Sequence, residues 1–292
     1  MIEFNGKNII IMFCSKCNLK CKHCYIEYNG NLNSTQLTSL INSLKDRYNI
    51  SINGSEPLLN EDYLEQFKLI GQDRLLTNGL ILHNNNILLK KIIDSGIKWV
   101  CMSYHFDLHS TISLVDKNII KDNINKLKKH DIQVEIMTTV STLNYKKIEN
   151  MVIEAIKIGA DCIRFTNLFN EGGAINMHDM LLNNEQINEF FNQFYHAKEK
   201  YSDYIFIRRS GTFNRDMRKN NSSFFCPSIK DTIAIAPNYK VYPCPFLIKE
   251  GYEIGYVEDG KVYIEEVFDH DSDTCFLHDV LNKGITYQKR RI

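Results

Sequence analysis

Short β-branched runs alternate with longer amphipathic stretches from residue 8 to residue 202, and this rhythm restricts the fold more than any other feature. Strand-like runs fall at 8–13, 50–54, 73–79, 98–106, 132–141 and 161–168. Helical patterns fill the gaps at 34–49, 60–71, 85–96, 114–130, 145–160 and 183–202. Ser34 and Thr35 suit a helix N-cap, and Gly96 and Gly159 suit helix ends. Regular βα alternation predicts a parallel sheet covered by helices, because parallel strands need long crossovers. The fold class is therefore α/β, either an open twisted sheet or a barrel. In both, functional residues gather at the C-terminal ends of the strands.

The rhythm stops near residue 205. Residues 211–225 are polar and read as a loop. Two hairpins follow, at 232–246 and at 252–264, the second turning at Asp259-Gly260. The expected division is a first domain at 1–208 and a small β-rich domain at 209–292. A module that small needs a staple, and it holds Cys226, Cys244 and Cys275.

The 292 residues carry no net charge, so nothing points to nucleic acid as a partner. No apolar stretch reaches the ~20 residues of a membrane span, and the opening "MIEFNGKNIIIMF" lacks the features of a signal peptide. A soluble, cytoplasmic protein is the expectation. Reducing compartments keep thiols unpaired, so metal or cluster binding is the leading explanation for some of the nine cysteines.

The run "CNLKCKHCY" at 17–25 places Cys17, Cys21 and Cys24 on the loop after the first strand. Structural zinc sites close with four ligands. Bacterial ferredoxin runs supply four cysteines at other spacings. Three thiolates suit a [4Fe–4S] cluster that keeps one iron open for a substrate or cofactor.

This run resembles the C-x3-C-x-aromatic-C motif of the radical S-adenosylmethionine (SAM) enzymes. The resemblance implies a partial (β/α)6 TIM-type barrel in which Cys17, Cys21 and Cys24 ligate the cluster. SAM would bind the open iron, and an electron would then release a 5′-deoxyadenosyl radical. His23 takes the aromatic position near the adenine. "NGSEPLL" at 53–59 resembles the family's G-G-E-P segment, which assigns Gly54, Ser55 and Glu56 to the SAM amino group. "TNG" at 77–79 stands where the family often has it. "SYHFD" ends the fourth strand where S-x-D is common, so Ser103 fits a ribose contact and His105 replaces the aspartate. Alternation puts Thr139 and Ser141 on one strand face, and Arg164 on a face with Cys162 and Thr166. Thr139 and Ser141 are cofactor-binding candidates, and Arg164 is assigned to the SAM carboxylate.

The tail resembles the auxiliary-cluster extension of some of these enzymes. The long form, SPASM, uses seven cysteines. Cys226, Cys244 and Cys275 favour the shortened form, twitch, with one further [4Fe–4S] cluster. The fourth ligand is open among His270, Asp271, Asp273, His278, an arginine of the polar loop and the substrate. A zinc staple is the alternative. Cys14, Cys101 and Cys162 fit no metal spacing and read as small buried hydrophobes. Cys101 shares its face with Ser103 and is the candidate hydrogen donor to a substrate radical.

The resemblance implies hydrogen abstraction from a C–H bond, most readily in a ribosomally made peptide, by crosslinking, epimerisation or oxidation. With the motif at residue 17 no leader-binding domain is expected ahead of it, so a leader needs a separate binding protein or direct contact with the barrel. An external electron donor of flavodoxin or ferredoxin type is implied. Two alternatives remain: a small-molecule dehydrogenase acting on an aminocyclitol or sugar alcohol, and a non-catalytic iron–sulfur carrier, against which the SAM-gripping "NGSEPLL" argues.

Overall fold

A computed structural model describes residues 1–113, 115–213, 226–268, 275–277 and 289–291. The chain forms two compact units. Met1–Lys16, Ile26–Gln72 and Asn214–Ile292 make the first; Cys17–Tyr25 and Asp73–Phe213 make the second.

The first unit opens with β1 (Ile2–Glu3) and β2 (Asn8–Cys14). Ile9, Ile11 and Phe13 of β2 are fully buried, as a continuous apolar run requires of a central strand. α1 (Ser34–Leu44) is started by a capping box in which the Asn33 side chain accepts the Gln36 N–H and the Gln36 side chain accepts the Asn33 N–H, both at 2.9 Å. It buries Leu37, Leu40, Ile41 and Leu44 at helical spacing. β3 (Asn49–Gly54) then pairs parallel with β2, and α2 (Leu64–Leu69) follows. Beyond α2, Gln72 accepts the Ile52 N–H at 2.7 Å and donates to the Ile52 carbonyl at 3.0 Å. A side-chain amide thus satisfies strand groups at the edge of β3.

The second unit continues with β4 (Arg74–Thr77), α3 (Asn86–Asp94), β5 (Trp99–Ser103), α4 (His109–Ile112), α5 (Lys117–Lys128), β6 (Gln133–Val140), α6 (Ile148–Lys157), β7 (Cys162–Asn167), α7 (Asn184–Tyr201) and β8 (Phe206–Arg209). Strands β4 to β8 form a five-stranded parallel sheet in chain order. One face is apolar and receives helices: Phe165 meets Phe190 and Phe194 of α7 edge-on, with centroids 5.9 and 6.2 Å apart. The opposite face is polar. Register sets Cys101 beside Glu135, Glu135 beside Cys162, Thr139 beside Thr166 and Arg164 beside Arg208.

All six expected strands form, divided between two sheets. β8 adds a parallel strand that the sequence rhythm misses, because a four-residue run with two arginines reads as loop.

The tail returns to the first unit. β9 (Thr232–Ile235) and β10 (Lys240–Tyr242) form the expected hairpin, and β9 also pairs parallel with β2. β11 (Gly255–Glu258) and β12 (Lys261–Ile264) turn at Asp259 and Gly260, whose φ values of 47° and 70° suit a two-residue hairpin turn. β12 pairs with β1, completing the order β1-β12-β11-β10-β9-β2-β3. Met12, Ala234, Ala236, Tyr242 and Ile248 form one buried cluster, so the tail and β2 share a core. β13 (Glu266–Phe268) and β14 (Lys289–Arg291) pair antiparallel. Most of the expected polar loop, including its arginines, lies outside the described residues, as do His270, Asp271, Asp273 and His278. Among the described residues, no helix is long and apolar enough to cross a membrane.

Candidate functional site

The cysteine run forms a compact loop in the second unit. The Cys24 N–H donates to the Cys21 carbonyl at 3.2 Å, and the Leu19 N–H donates to the Cys17 sulfur at 3.4 Å. All nine cysteines carry unbridged thiols. Burial, then repulsion from Cys24 and Cys17, pushes the Cys21 thiol up to about 11. Cys21 therefore lies close enough to Cys24 and Cys17 for their charges to oppose its ionisation. Such a donor set fits a cationic iron cluster, which would compensate three thiolates at once. Among the described residues no three His, Cys, Asp or Glu side chains converge as a single-ion site.

Neighbouring strand ends fix this loop. Asn78, after β4, donates to Asn18 Oδ1 at 2.8 Å and to the Cys17 sulfur at 3.6 Å. Its turn is set by Gly79, at φ 78°, whose N–H donates to Thr77 Oγ1 and whose carbonyl accepts from Asn123. The Lys22 N–H donates to the Ile112 carbonyl at 3.1 Å, and the Cys21 thiol to the Ser113 carbonyl at 3.9 Å. Gly172 and Gly173 close the other side: the Gly173 N–H donates to the Cys24 carbonyl at 2.8 Å. A Cβ on Gly172 would lie 2.4 Å from the Cys24 carbonyl oxygen, and one on Gly173 2.5 Å from that of Lys22. Sequence reasoning passed over this pair, although a double glycine after the last strand of the βα series was a signal of close backbone approach.

His23, half-buried, packs edge-on against His105 with centroids 4.9 Å apart. Burial, then neighbouring His109, pushes His23 down to about 4. Of the residues expected on the sheet's polar face, Ser103, Thr139 and Arg164 are there. The Thr139 N–H donates to His105 Nδ1 at 3.1 Å. Ser141 lies one residue past β6 and closes a turn: its N–H donates to Asn144 Oδ1 at 2.8 Å, and its hydroxyl accepts the Leu143 N–H at 3.3 Å. Arg164 ion-pairs with Glu135, a fully buried carboxylate that also meets Arg74 and, at 3.5 Å, Arg208. The sequence offered a signal for Glu135 as well, since it is the lone acid in the apolar run "IQVEIMTTV". Arg74 also contacts the Cys101 sulfur at 3.4 Å. Burial, then Glu135, pushes the Cys101 thiol up to about 11, so it keeps its proton.

In the first unit, Gly54 sits where a Cβ would fall 2.3 Å from the Cys14 sulfur. The Ser55 N–H donates to the Cys14 carbonyl at 3.0 Å and the Glu56 N–H to the Lys16 carbonyl at 3.2 Å. Glu56 is buried, and its Oε1 accepts the Leu58 N–H at 3.1 Å. The Ser55 hydroxyl is buried with no hydrogen-bond partner, an orphan that a polar ligand would satisfy. The tail cysteines come together here too. Burial raises the Cys244 thiol, and neighbouring Cys275 and Cys226 raise it further, while Ser228 hydrogen-bonds it.

No protein-family model matches the chain. It is 25% identical over 252 residues to the antilisterial bacteriocin subtilosin biosynthesis protein AlbA of Bacillus subtilis, covering 80% of this chain and 54% of that protein. It is 22% identical over 314 residues to a cysteine-type anaerobic sulfatase-maturating enzyme of Clostridium novyi, covering 94% and 83%. The chain thus spans about half the length of the first relative and most of the second. The fold matches Streptococcus suis SuiB bound to S-adenosylmethionine at a TM-score of 0.67 and 13% identity, covering 97% of this chain and 65% of that one. The match to SuiB bound to the precursor peptide SuiA has a TM-score of 0.63, with 13% identity and coverage of 97% and 66%. A parallel sheet of this order and a three-cysteine loop beside its strand ends thus stand together with a likeness to radical SAM maturases in sequence and in fold.

Proposed function

We propose that this chain is a peptide-modifying radical SAM enzyme. The observation that carries the proposal is the loop of Cys17, Cys21 and Cys24, whose Lys22 N–H and Cys21 thiol donate to the Ile112 and Ser113 carbonyls and whose Cys24 carbonyl accepts the Gly173 N–H. When bound there, a [4Fe–4S] cluster supplies the electron that cleaves SAM and so generates the radical that takes a hydrogen atom. The chain's own residues bind and orient. Gly54, Ser55 and Glu56 are assigned to the SAM amino group, the Ser55 hydroxyl offering an unused partner. Arg164, which Glu135 orients, is assigned to the carboxylate. Ser103 and Thr139 are assigned to the nucleoside with His23, and Ser141 supports them through its turn. Cys101 is the hydrogen-donor candidate, because burial preserves its S–H bond.

Cys226, Cys244 and Cys275 are assigned to a twitch-type auxiliary cluster in the module at 209–292. The peptide assignment draws on the likeness to AlbA and to SuiB, the latter solved with a precursor peptide. An external ferredoxin- or flavodoxin-type donor and a separate leader-binding protein belong to the same reading.

The test is anaerobic reconstitution with iron and sulfide, followed by dithionite and SAM. 5′-Deoxyadenosine is expected from the native chain and none from Cys17→Ala. Absence of 5′-deoxyadenosine from a fully iron-loaded native chain overturns the proposal.

A further inference from the structure

His105 stands where the resemblance puts an aspartate, and its geometry gives it other work. The residue is 3% exposed. Nδ1 accepts the Thr139 N–H at 3.1 Å, which leaves Nε2 as the protonated nitrogen of the neutral ring, buried without a partner. The His105 N–H donates to His109 Nδ1 at 3.1 Å, and the two rings stack with centroids 5.6 Å apart. The His109 ring stacks in turn on Tyr104 at 5.7 Å. On its other side His105 meets the His23 ring at 85° and 4.9 Å. Phe106, the next residue, holds a φ of 54°, a strained value for a bulky side chain.

These contacts converge on the cysteine loop. His109 begins α4, and the carbonyls at the end of that short helix, Ile112 and Ser113, accept the Lys22 N–H and the Cys21 thiol. One histidine pair therefore touches the loop twice: through a ring against His23, and through the helix that holds Lys22 and Cys21. The strain at Phe106 is stored where the chain must turn from β5 to deliver both.

We propose that His105 is a positioning residue that sets the conformation of the 17–25 loop through the ring of His23 and through His109, and that it is not a ribose contact. This deepens the radical SAM reading, but the loop conformation can be read without a cluster.

Two variants separate the parts of the contact. His105→Asn keeps an oxygen for the Thr139 N–H and loses the ring; His105→Phe keeps the ring and loses the acceptor. In metal-free protein, trypsin cleavage after Lys20 and Lys22, resolved by mass spectrometry, should be faster in His105→Asn by about tenfold, the change of a roughly 1.4 kcal/mol shift in local opening. It should stay near the native rate in His105→Phe. In reconstituted protein, the electron paramagnetic resonance spectrum of the reduced cluster should lose its SAM-induced change in His105→Asn and keep it in His105→Phe. Native cleavage at Lys20 and Lys22 in His105→Asn overturns the proposal. So does faster cleavage spread over the whole chain, which marks general destabilisation. A native chain that takes up no iron overturns the enzyme reading and leaves the proteolysis result standing.

Discussion

Glycine 173 shows how one missing atom shapes the site. Its Cα approaches the Lys22 carbonyl so closely that an added methyl would overlap backbone, which cannot rotate away as a side-chain end could. Gly173→Ala should therefore cost about 1–3 kcal/mol, as overpacking does, and lower iron uptake; urea unfolding and iron analysis of the same samples check both. His105 and His109 give a second test at this scale. Burial holds His105 well below the usual histidine range and His109 at about 4. The folded chain keeps both rings neutral while the unfolded chain protonates them below about 6.5. Their contribution is intact above that pH and is lost as pH falls toward about 4, by at most ~1.4 kcal/mol per pH unit for each ring. Urea midpoints of metal-free protein from about pH 7.5 to about pH 5 should fall accordingly, and His109→Gln should flatten the slope. An unchanged slope would mean that His109 takes up its proton equally in the folded and the unfolded chain.

At the scale of elements, the polar face of the five-stranded sheet depends on β6. Glu135 takes arginines from β4, β7 and β8 and is itself wholly buried. Removing its charge strands guanidiniums beside a low-dielectric interior, a change worth about 3–5 kcal/mol for a fully buried pair. The arginine side chains are 23 to 41% exposed, so water recovers part of this. Glu135→Gln should cost about 2 kcal/mol. Arg208→Met, at the exposed end, should cost under about 1 kcal/mol. Equal losses in chemical denaturation would show that Glu135 is not the centre of the network. The other sheet is tied by sequence-distant pairing: β9 lies along β2 more than 200 residues away. Nothing in "TIAI" names its partner, since β-branched runs specify a strand and not its neighbour.

Across the whole molecule, the question is how many clusters the chain holds. Cys244, whose thiol is raised by burial and by neighbouring Cys275 and Cys226, lies in the unit that also contains Gly54, Ser55 and Glu56. Reconstituted protein should carry about eight irons, two four-iron clusters. Cys226→Ala should bring this to about four and still release 5′-deoxyadenosine while losing peptide product. About four irons with one zinc in the native chain would establish the zinc staple in place of the second cluster.

Much of this was legible in the chain. The cysteine loop, the six strands and both hairpins follow from spacing, alternation and turn chemistry, because these are properties of neighbours in sequence. Strand alternation also put Arg164 with Cys162, and Cys101 with Ser103, since a period of two leaves no choice of face. Ser141 escaped that logic because β6 ends at Val140 and the hydroxyl turns back to its own loop. The arginine ring around Glu135, the glycine pair under the Cys24 carbonyl, the His23–His105–His109 contacts and the pairing of β9 with β2 were decided by tertiary structure alone. Each joins residues far apart in the chain, and only the register of strands and the path of loops brings them within bonding distance.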